Sequence, residues 1–315
     1  MRMKKIIAIV GPTAVGKTKL SIRLAKKLNG EIISGDAMQI YRGLDIGTAK
    51  VTCEEMEGIP HHLLDEKNPD ERYSVAAFQK AVRAKIDEII ARGKLPIIVG
   101  GTGLYVKAVL YDYEFAEDVT SDNAQYEALT NEQLHAKLAS IDKEAAKALH
   151  PNNRRRVVRA LNIYDETNVT KSETLKAQAK KLVYDVALIG LTDERSVLYE
   201  RINARVDQMV HEGLVEEVRR LYETGITKEA QAIAAIGYKE IYNYLEGMID
   251  LETAIELVKR NSRRLAKRQY TWFRNQMDVT WFDVDVANFE KTVDDVLQYL
   301  QFLNDTNANT CTRHL

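Results

Sequence analysis

The octapeptide Gly11-Pro12-Thr13-Ala14-Val15-Gly16-Lys17-Thr18 has the residue types and spacing of a loop that wraps phosphate. Glycine lets the backbone curl until several N–H groups converge on phosphate oxygens. The helix that starts next turns its positive end toward the same point. Lys17 brings a full charge, and the Thr18 hydroxyl is a hard oxygen donor of the kind that suits Mg2+. This chemistry requires a phosphate; it does not require a nucleotide.

Two further positions could work beside that loop. Asp36 follows a short strand-like segment at 31–34, within Ser34-Gly35-Asp36-Ala37-Met38-Gln39-Ile40-Tyr41. A carboxylate there either caps a turn or takes a proton from a second substrate facing the phosphate. Thr102 stands in Gly100-Gly101-Thr102-Gly103, after the apolar run at 95–99. Those glycines serve either a tight strand-to-helix turn or the close approach of a ligand. A P-loop ATPase usually ends a strand in an aspartate that helps hold Mg2+. The run at 95–99 ends in glycines instead, and Asp65, after His61-His62-Leu63-Leu64, follows only a short segment.

Cationic residues make the third candidate. Over 254–274 a helical projection puts Ile255, Val258, Leu265 and Trp272, with Ser262 and Gln269, on one face. Lys259, Arg260, Arg263, Arg264, Lys267, Arg268 and Arg274 fall on the opposite arc, and no acid occurs between Leu257 and Met277. Solvated faces usually mix signs, so this one points to a phosphate backbone. Tyr270, Trp272 and Phe273 beside it suit either base stacking or the core. A second cluster, Arg154, Arg155, Arg156 and Arg159, follows Pro151-Asn152-Asn153 at an expected helix start. Ala234-Ala235-Ile236-Gly237-Tyr238-Lys239 reads as a glycine-bearing turn between helices. His61-His62 has no third ligand at metal spacing, so no metal is assigned there.

The elements that must position these residues are an alternation of strand and helix. Strands are expected at 5–10, 31–34, 95–99 and 183–191, with a short one near 61–65, and helices at 18–28 and 75–92. A P-loop opening such a pattern implies an α/β fold, a parallel sheet flanked by helices. Residues 118–181 are polar and helical in composition, and a core-type strand resumes after them. We therefore expect a core of 1–117 with 182–303, a helical insertion at 118–181, and a frayed tail at 304–315. All five prolines lie at or before Pro151, and the later part is mainly helical with a late strand or two.

Length and charge bound the rest. The 315 residues carry 45 basic and 46 acidic side chains, so any nucleic-acid contact must come from local clustering. No apolar run is long enough to span a membrane. The basic start, Met1-Arg2-Met3-Lys4-Lys5, leads directly into the first strand, so a soluble cytoplasmic protein is expected. Cys53 and Cys311 lie outside any metal spacing and read as reduced thiols.

Together these segments closely resemble the tRNA dimethylallyltransferases, the isopentenyl transferases that modify adenosine in tRNA. The resemblance rests on residues 11–18, 34–41, 61–65, 100–105, 152–161, 236–238 and 267–274, in the family's order. Gly35 and Ala37 are mild departures, since the family often has Ala and Ser there. The resemblance implies transfer of a dimethylallyl group from dimethylallyl diphosphate to N6 of an adenosine. That adenosine lies 3′ of the anticodon, in tRNAs reading codons that begin with U. It implies that residues 11–18 hold diphosphate rather than ATP, with Mg2+ on Thr18 as cofactor. Asp36 would be the base, Thr102 would orient the adenosine, and Arg205 would join Lys17 on the diphosphate, with Arg201 as its rival. tRNA would be met by residues 36–39 (Asp36, Ala37, Met38, Gln39), Thr102, Arg155, Arg156, Val157, Val158 and Arg159. The same role falls to Ala234, Ala235, Ile236, Gly237, Tyr238 and Lys239, and to Lys267, Arg268, Gln269, Tyr270, Thr271, Trp272, Phe273 and Arg274. The partners implied are a tRNA anticodon stem-loop and dimethylallyl diphosphate, with a monomeric enzyme and no membrane. Two other classes stand as alternatives: a small-molecule kinase using ATP, and a noncatalytic nucleotide-gated RNA-binding protein.

Overall fold

The computed structural model describes residues 3–113, 124–177 and 181–311. Its first strand, β1 (Lys5–Val10), is aliphatic after Lys5 and buried along that length. A strand apolar on both faces belongs inside a parallel sheet. The sheet has six strands: β1, β2 (Gly30–Ser34), β3 (His61–His62), β4 (Leu95–Gly100), β5 (Asp185–Thr192) and β6 (Thr280–Asp283). Their order is β3-β2-β4-β1-β5-β6, and every pairing is parallel. Ile7 lies opposite Ile97 on one side and Ala187 on the other, so the phosphate loop leaves the sheet's interior.

β3 stops after two residues because Leu63 and Asp65 take positive φ, which turns the chain out of the extended conformation. It is also the edge strand, remote from β1. Asp65 lies beyond it and pairs with Lys50 at 2.6 Å. It therefore does not stand in for the missing strand-end acid.

The chain divides into two units, Met1–Leu110 with Val183–Leu315, and Tyr111–Leu182. In the first, α1 (Lys17–Leu28) buries Leu20, Ile22, Leu24 and Ala25. Helix α2 (Val75–Ala91) is capped by the Ser74 hydroxyl and buries Phe78, Val82, Ile86 and Ile89; α3 (Gly103–Leu110) follows β4. The second unit is helical: α4 (Ala124–Glu127), α5 (Asn131–Ile141), α6 (Lys143–Ala148), α7 (Arg154–Thr167) and α8 (Lys171–Ala177). It has its own core, which includes Tyr126, Leu134, Leu138, Val157 and Leu161. The expected boundary at 117/118 lies outside the described residues, as does the side chain of Cys311.

Back in the first unit come α9 (Arg195–His211), α10 (Leu214–Glu223), α11 (Tyr238–Leu245), α12 (Leu251–Gln276) and α13 (Phe289–Cys311). Helix α13 runs on through 311, where a frayed tail from 304 was expected. On α12 the fully buried positions are Ala254, Val258, Ala266 and Phe273. The projection favours Leu265 and Trp272, but the small Ala266 lets the helix approach closely along a line one residue over. Among the described residues no helix is long and apolar enough to cross a membrane.

Candidate active site

Residues 11–18 form the floor of the site. Ala14 takes φ 62° and Gly16 φ 106°, the left-handed turns that curl the loop into the start of α1. Lys17 folds over this loop, its Nζ donating to the carbonyls of Gly11 (3.1 Å) and Pro12 (2.6 Å). Burial pulls its pKa down to about 8; Asp36 opposes that shift and Arg205 adds to it. Lys17, Asp36 and Arg205 therefore share one electrostatic environment, although they come from α1, the end of β2, and α9.

Asp36 is held in an Asx turn, its Oδ1 accepting the Met38 N–H at 2.8 Å. Burial raises its pKa, against the Met38 N–H and the charge of Lys17. The two readings of Asp36, turn cap and proton acceptor, are thus compatible. Next to it, the Thr102 hydroxyl accepts the Ala37 N–H at 3.3 Å, joining the turn after β4 to the turn after β2. Arg201 is committed to Asp193 at 3.1 Å. Arg205 makes no hydrogen bond or ion pair among the described residues, and burial lowers its pKa.

Gly100, Gly101 and Gly103 are explained by the protein itself. A Cβ on Gly100 would overlap the backbone of Gly35, one on Gly101 the Gln269 amide, and one on Gly103 the Trp272 ring. The strand-end turn is therefore packed against its neighbours, and that packing alone accounts for its glycines. A Cβ on Gly35 would meet Val99 O at 3.2 Å and Gly100 Cα at 3.3 Å, tight but short of overlap. Gly100→Ala is expected to destabilise the fold by about 2–3 kcal/mol, since neither backbone can yield. A denaturant midpoint unchanged by that substitution would contradict this packing.

Gln269 reaches in from α12. Its Oε1 accepts the Thr13 N–H at 2.9 Å, and its Nε2 donates to Gly101 O at 3.1 Å. Its amide thus faces the two loops, which corrects the side-chain contact to RNA expected of Gln269. Four other residues also require correction as side-chain contacts to RNA. Val157 and Val158 sit in the core of the helical unit. Tyr238 and Phe273 are fully buried, with the Tyr238 hydroxyl donating to Glu217 at 2.5 Å. Of Tyr270 and Trp272, the first stacks edge-on to Trp281 and the second lies over Gly103.

The basic face of α12 is smaller than the projection drew it. Lys259 pairs with Asp207 at 2.7 Å and with Glu256 at 3.2 Å, and Arg263 donates to Asn203 Oδ1. Arg274 stacks on Tyr270. Arg260, Arg264, Lys267 and Arg268 are exposed and have no acidic partner among the described residues. In the helical unit Arg154 is spent on the carbonyls of Leu129 and Tyr126, while Arg155, Arg156 and Arg159 are exposed.

One supporting group gave no signal in the sequence. Glu217, buried on α10, accepts the N–H groups of Asp45 (3.0 Å), Ile46 (2.8 Å) and Gly47 (3.1 Å) as well as the Tyr238 hydroxyl. The loop it secures accepts Gln39 Nε2 at Thr48 O (3.2 Å), and Gln39 Oε1 in turn accepts the Ser34 hydroxyl. The strand end that carries Asp36 is braced through this relay.

Thr18 and a phosphate's own oxygens make a hard donor set, and Mg2+ commonly takes one or two protein oxygens with substrate phosphate and water. Thr18 is exposed at the start of α1, so the residues present fit that ion. His61 and His62 bond to Ile59 O and Glu31 instead.

Comparison with known proteins gives a consistent picture. The model of the IPP transferase family matches residues 39–276, a span that holds Thr102, Arg205 and all of α12. A tRNA dimethylallyltransferase from Anoxybacillus flavithermus is 58% identical over 301 residues, which span 95% of this chain and 96% of the relative. One from Geobacillus thermodenitrificans is 58% identical over 305 residues, or 94% and 96% of the two chains. The crystal structure of the tRNA isopentenylpyrophosphate transferase of Bacillus halodurans matches with a TM-score of 0.75 at 51% identity, over 99% of this chain and 100% of that one. A eukaryotic dimethylallyltransferase acting on tRNA matches with a TM-score of 0.83 at 32% identity, over 97% of this chain and 80% of that one.

Proposed function

Since this chain belongs to the IPP transferase family of tRNA-prenylating enzymes, we propose that it transfers a dimethylallyl group from dimethylallyl diphosphate to N6 of the adenosine 3′ of the anticodon. The tRNAs in question read codons that begin with U. The observation that carries the donor and the site is the Lys17 ammonium folded onto the 11–18 loop and electrostatically coupled to Asp36, beside a strand whose end carries no acid.

An exocyclic adenine amine is a weak nucleophile because its lone pair is delocalised into the ring. N6 attacks C1 of the dimethylallyl group, the C–O bond to diphosphate breaks, and one N6 proton passes to Asp36. Lys17, Arg205 and the loop N–H groups stabilise the charge that grows on the leaving diphosphate. Mg2+, held through Thr18, supplies further charge neutralisation when bound. Thr102 orients the adenosine beside Asp36. The base must leave its stack to arrive there, at a cost of about a few kcal/mol, which is smallest in a loop. The reading takes a cytoplasmic monomer acting on tRNA as the working form.

Arg260, Arg264, Lys267 and Arg268 meet RNA phosphates in this reading, as do Arg155, Arg156 and Arg159. Neutralising the four on α12 is expected to lower the slope of log affinity against log salt by up to about 3.5, at ~0.7–0.9 for each phosphate that no longer meets a cation. An unchanged slope would remove α12 from the RNA interface. The function itself is tested by incubating the protein with unmodified tRNA and labelled dimethylallyl diphosphate, then mapping the modified nucleoside. Robust ATP hydrolysis without prenyl transfer would overturn it in favour of a kinase, and nucleotide-dependent RNA binding without a covalent product in favour of a switch.

A further inference from the structure

Two of the three loops that carry the chemistry leave β1 and β4, and one side chain ties those two together. Gln269 accepts from Thr13 N–H at 2.9 Å and donates to Gly101 O at 3.1 Å. Thr13 belongs to the phosphate loop, and Gly101 precedes Thr102. A side-chain amide both accepts and donates in one plane, as these two backbone partners require. Glutamate lacks the donor, lysine lacks the acceptor, and asparagine is one methylene shorter. The amide lies close against the second loop, since a Cβ built at Gly101 would overlap Gln269 Nε2.

The same helix carries the unpaired cations on its outer side. Arg268 is the preceding residue, Lys267 the one before it, and Arg264 lies a turn earlier; all three are exposed. A single 26-residue helix therefore has cations facing solvent and an amide facing the reaction centre. A helix is stiff over such a length, so restraint applied to one face is felt on the other.

We propose that Gln269 is a positioning residue that couples RNA bound on the outer face of α12 to phosphate bound in the 11–18 loop. Phosphates drawn to Arg264, Lys267 and Arg268 hold the helix in place. Gln269 then keeps Thr13 and Gly101 at the separation that receives diphosphate beside Thr102. Part of the ordering cost of the phosphate loop has been met before diphosphate arrives, and the two ligands tighten one another. Linkage requires the same factor in both directions. The proposal rests on the reading that α12 meets RNA and that the loop takes diphosphate.

Inorganic pyrophosphate, the released product, is the probe. Its Kd is measured by titration on the intact protein, with and without saturating unmodified tRNA, in buffer containing Mg2+. The wild-type protein is expected to bind pyrophosphate at least about fivefold more tightly with tRNA present, at the lower end of usual coupling. Gln269→Ala is expected to bring that ratio close to one while each ligand still binds alone. Gln269→Glu, which keeps the acceptor for Thr13 and loses the donor to Gly101, should give an intermediate ratio. It also serves if the alanine variant fails to fold. A merely structural glutamine would weaken both ligands and leave the ratio unchanged. A wild-type ratio of one, or an unaltered ratio in both variants, would overturn the proposal and leave the assigned function standing. Failure of the wild-type protein to bind pyrophosphate or tRNA would instead overturn that function, and the coupling with it.

Discussion

Asp36→Ala is expected to slow prenyl transfer by about 10³-fold, the middle of the range for losing a general base. The affinity for tRNA should change by less than about threefold, because the turn contributes one carboxylate and no cation to the RNA surface. The carboxylate is fixed by the Met38 N–H and shares its surroundings with Lys17. Removing it leaves N6 with no acceptor for the proton it must shed as the new C–N bond forms. Asp36→Asn separates the two functions of the side chain. The asparagine carbonyl can still accept from Met38 and keep the turn, but it takes no proton at neutral pH. A rate near wild type in Asp36→Asn would show the residue to be a turn cap alone. Lost tRNA affinity in Asp36→Ala would make it a recognition residue.

The pH profile gives an independent reading of the same group. Burial raises the Asp36 pKa above the ordinary aspartate value, and the base works only when ionised. The rate therefore climbs with pH through that raised pKa. Its acid limb should lie above the usual aspartate range, and the limb should vanish in the residual activity of Asp36→Asn. Stopped-time assays of transfer across the acid range measure both.

The phosphate loop was readable because its logic is local, eight consecutive residues whose types suffice. The buried strands and α1 were readable for a similar reason, since an aliphatic run and a helical stripe each declare their own burial. Glu217 was not. It lies in the charged segment Glu216-Glu217-Val218-Arg219-Arg220, which resembles a solvated helix face, and its backbone partner Asp45 is 172 residues away. Gln269 was seen as a polar residue on the inner face of α12, but its partner Thr13 is 256 residues away. Such pairings depend on which strand lies beside which. The basic stripe misled for a third reason: a projection places charges around one helix but does not see the helix packed against it. Asn203 and Asp207 of α9 claim Arg263 and Lys259, so those two cations are not available to RNA.

Lys17 is where composition and environment bear most directly on rate. Its Nζ is held against two loop carbonyls, and desolvation there lowers its pKa to about 8. Only the protonated form offers the charge that the departing diphosphate needs. As pH rises through about 8, free protein loses that charge, so kcat/KM for dimethylallyl diphosphate should fall on the alkaline side. Bound diphosphate restores it by raising the lysine pKa, so the alkaline limb of kcat should lie at higher pH than that of kcat/KM. Lys17→Met keeps the length and removes the charge, and should cost about 10²–10³ in rate, the usual loss for one preorganised donor on a developing anion. It should also abolish the alkaline limb of kcat/KM. Arg205 would then be the remaining fixed cation, and Lys17→Met/Arg205→Ala should cost less than the product of the two single losses if both act on the same oxygens. Strict multiplication would assign them to separate steps. A limb near pH 8 that survives in Lys17→Met would belong to some other group and would take the leaving-group role away from this lysine.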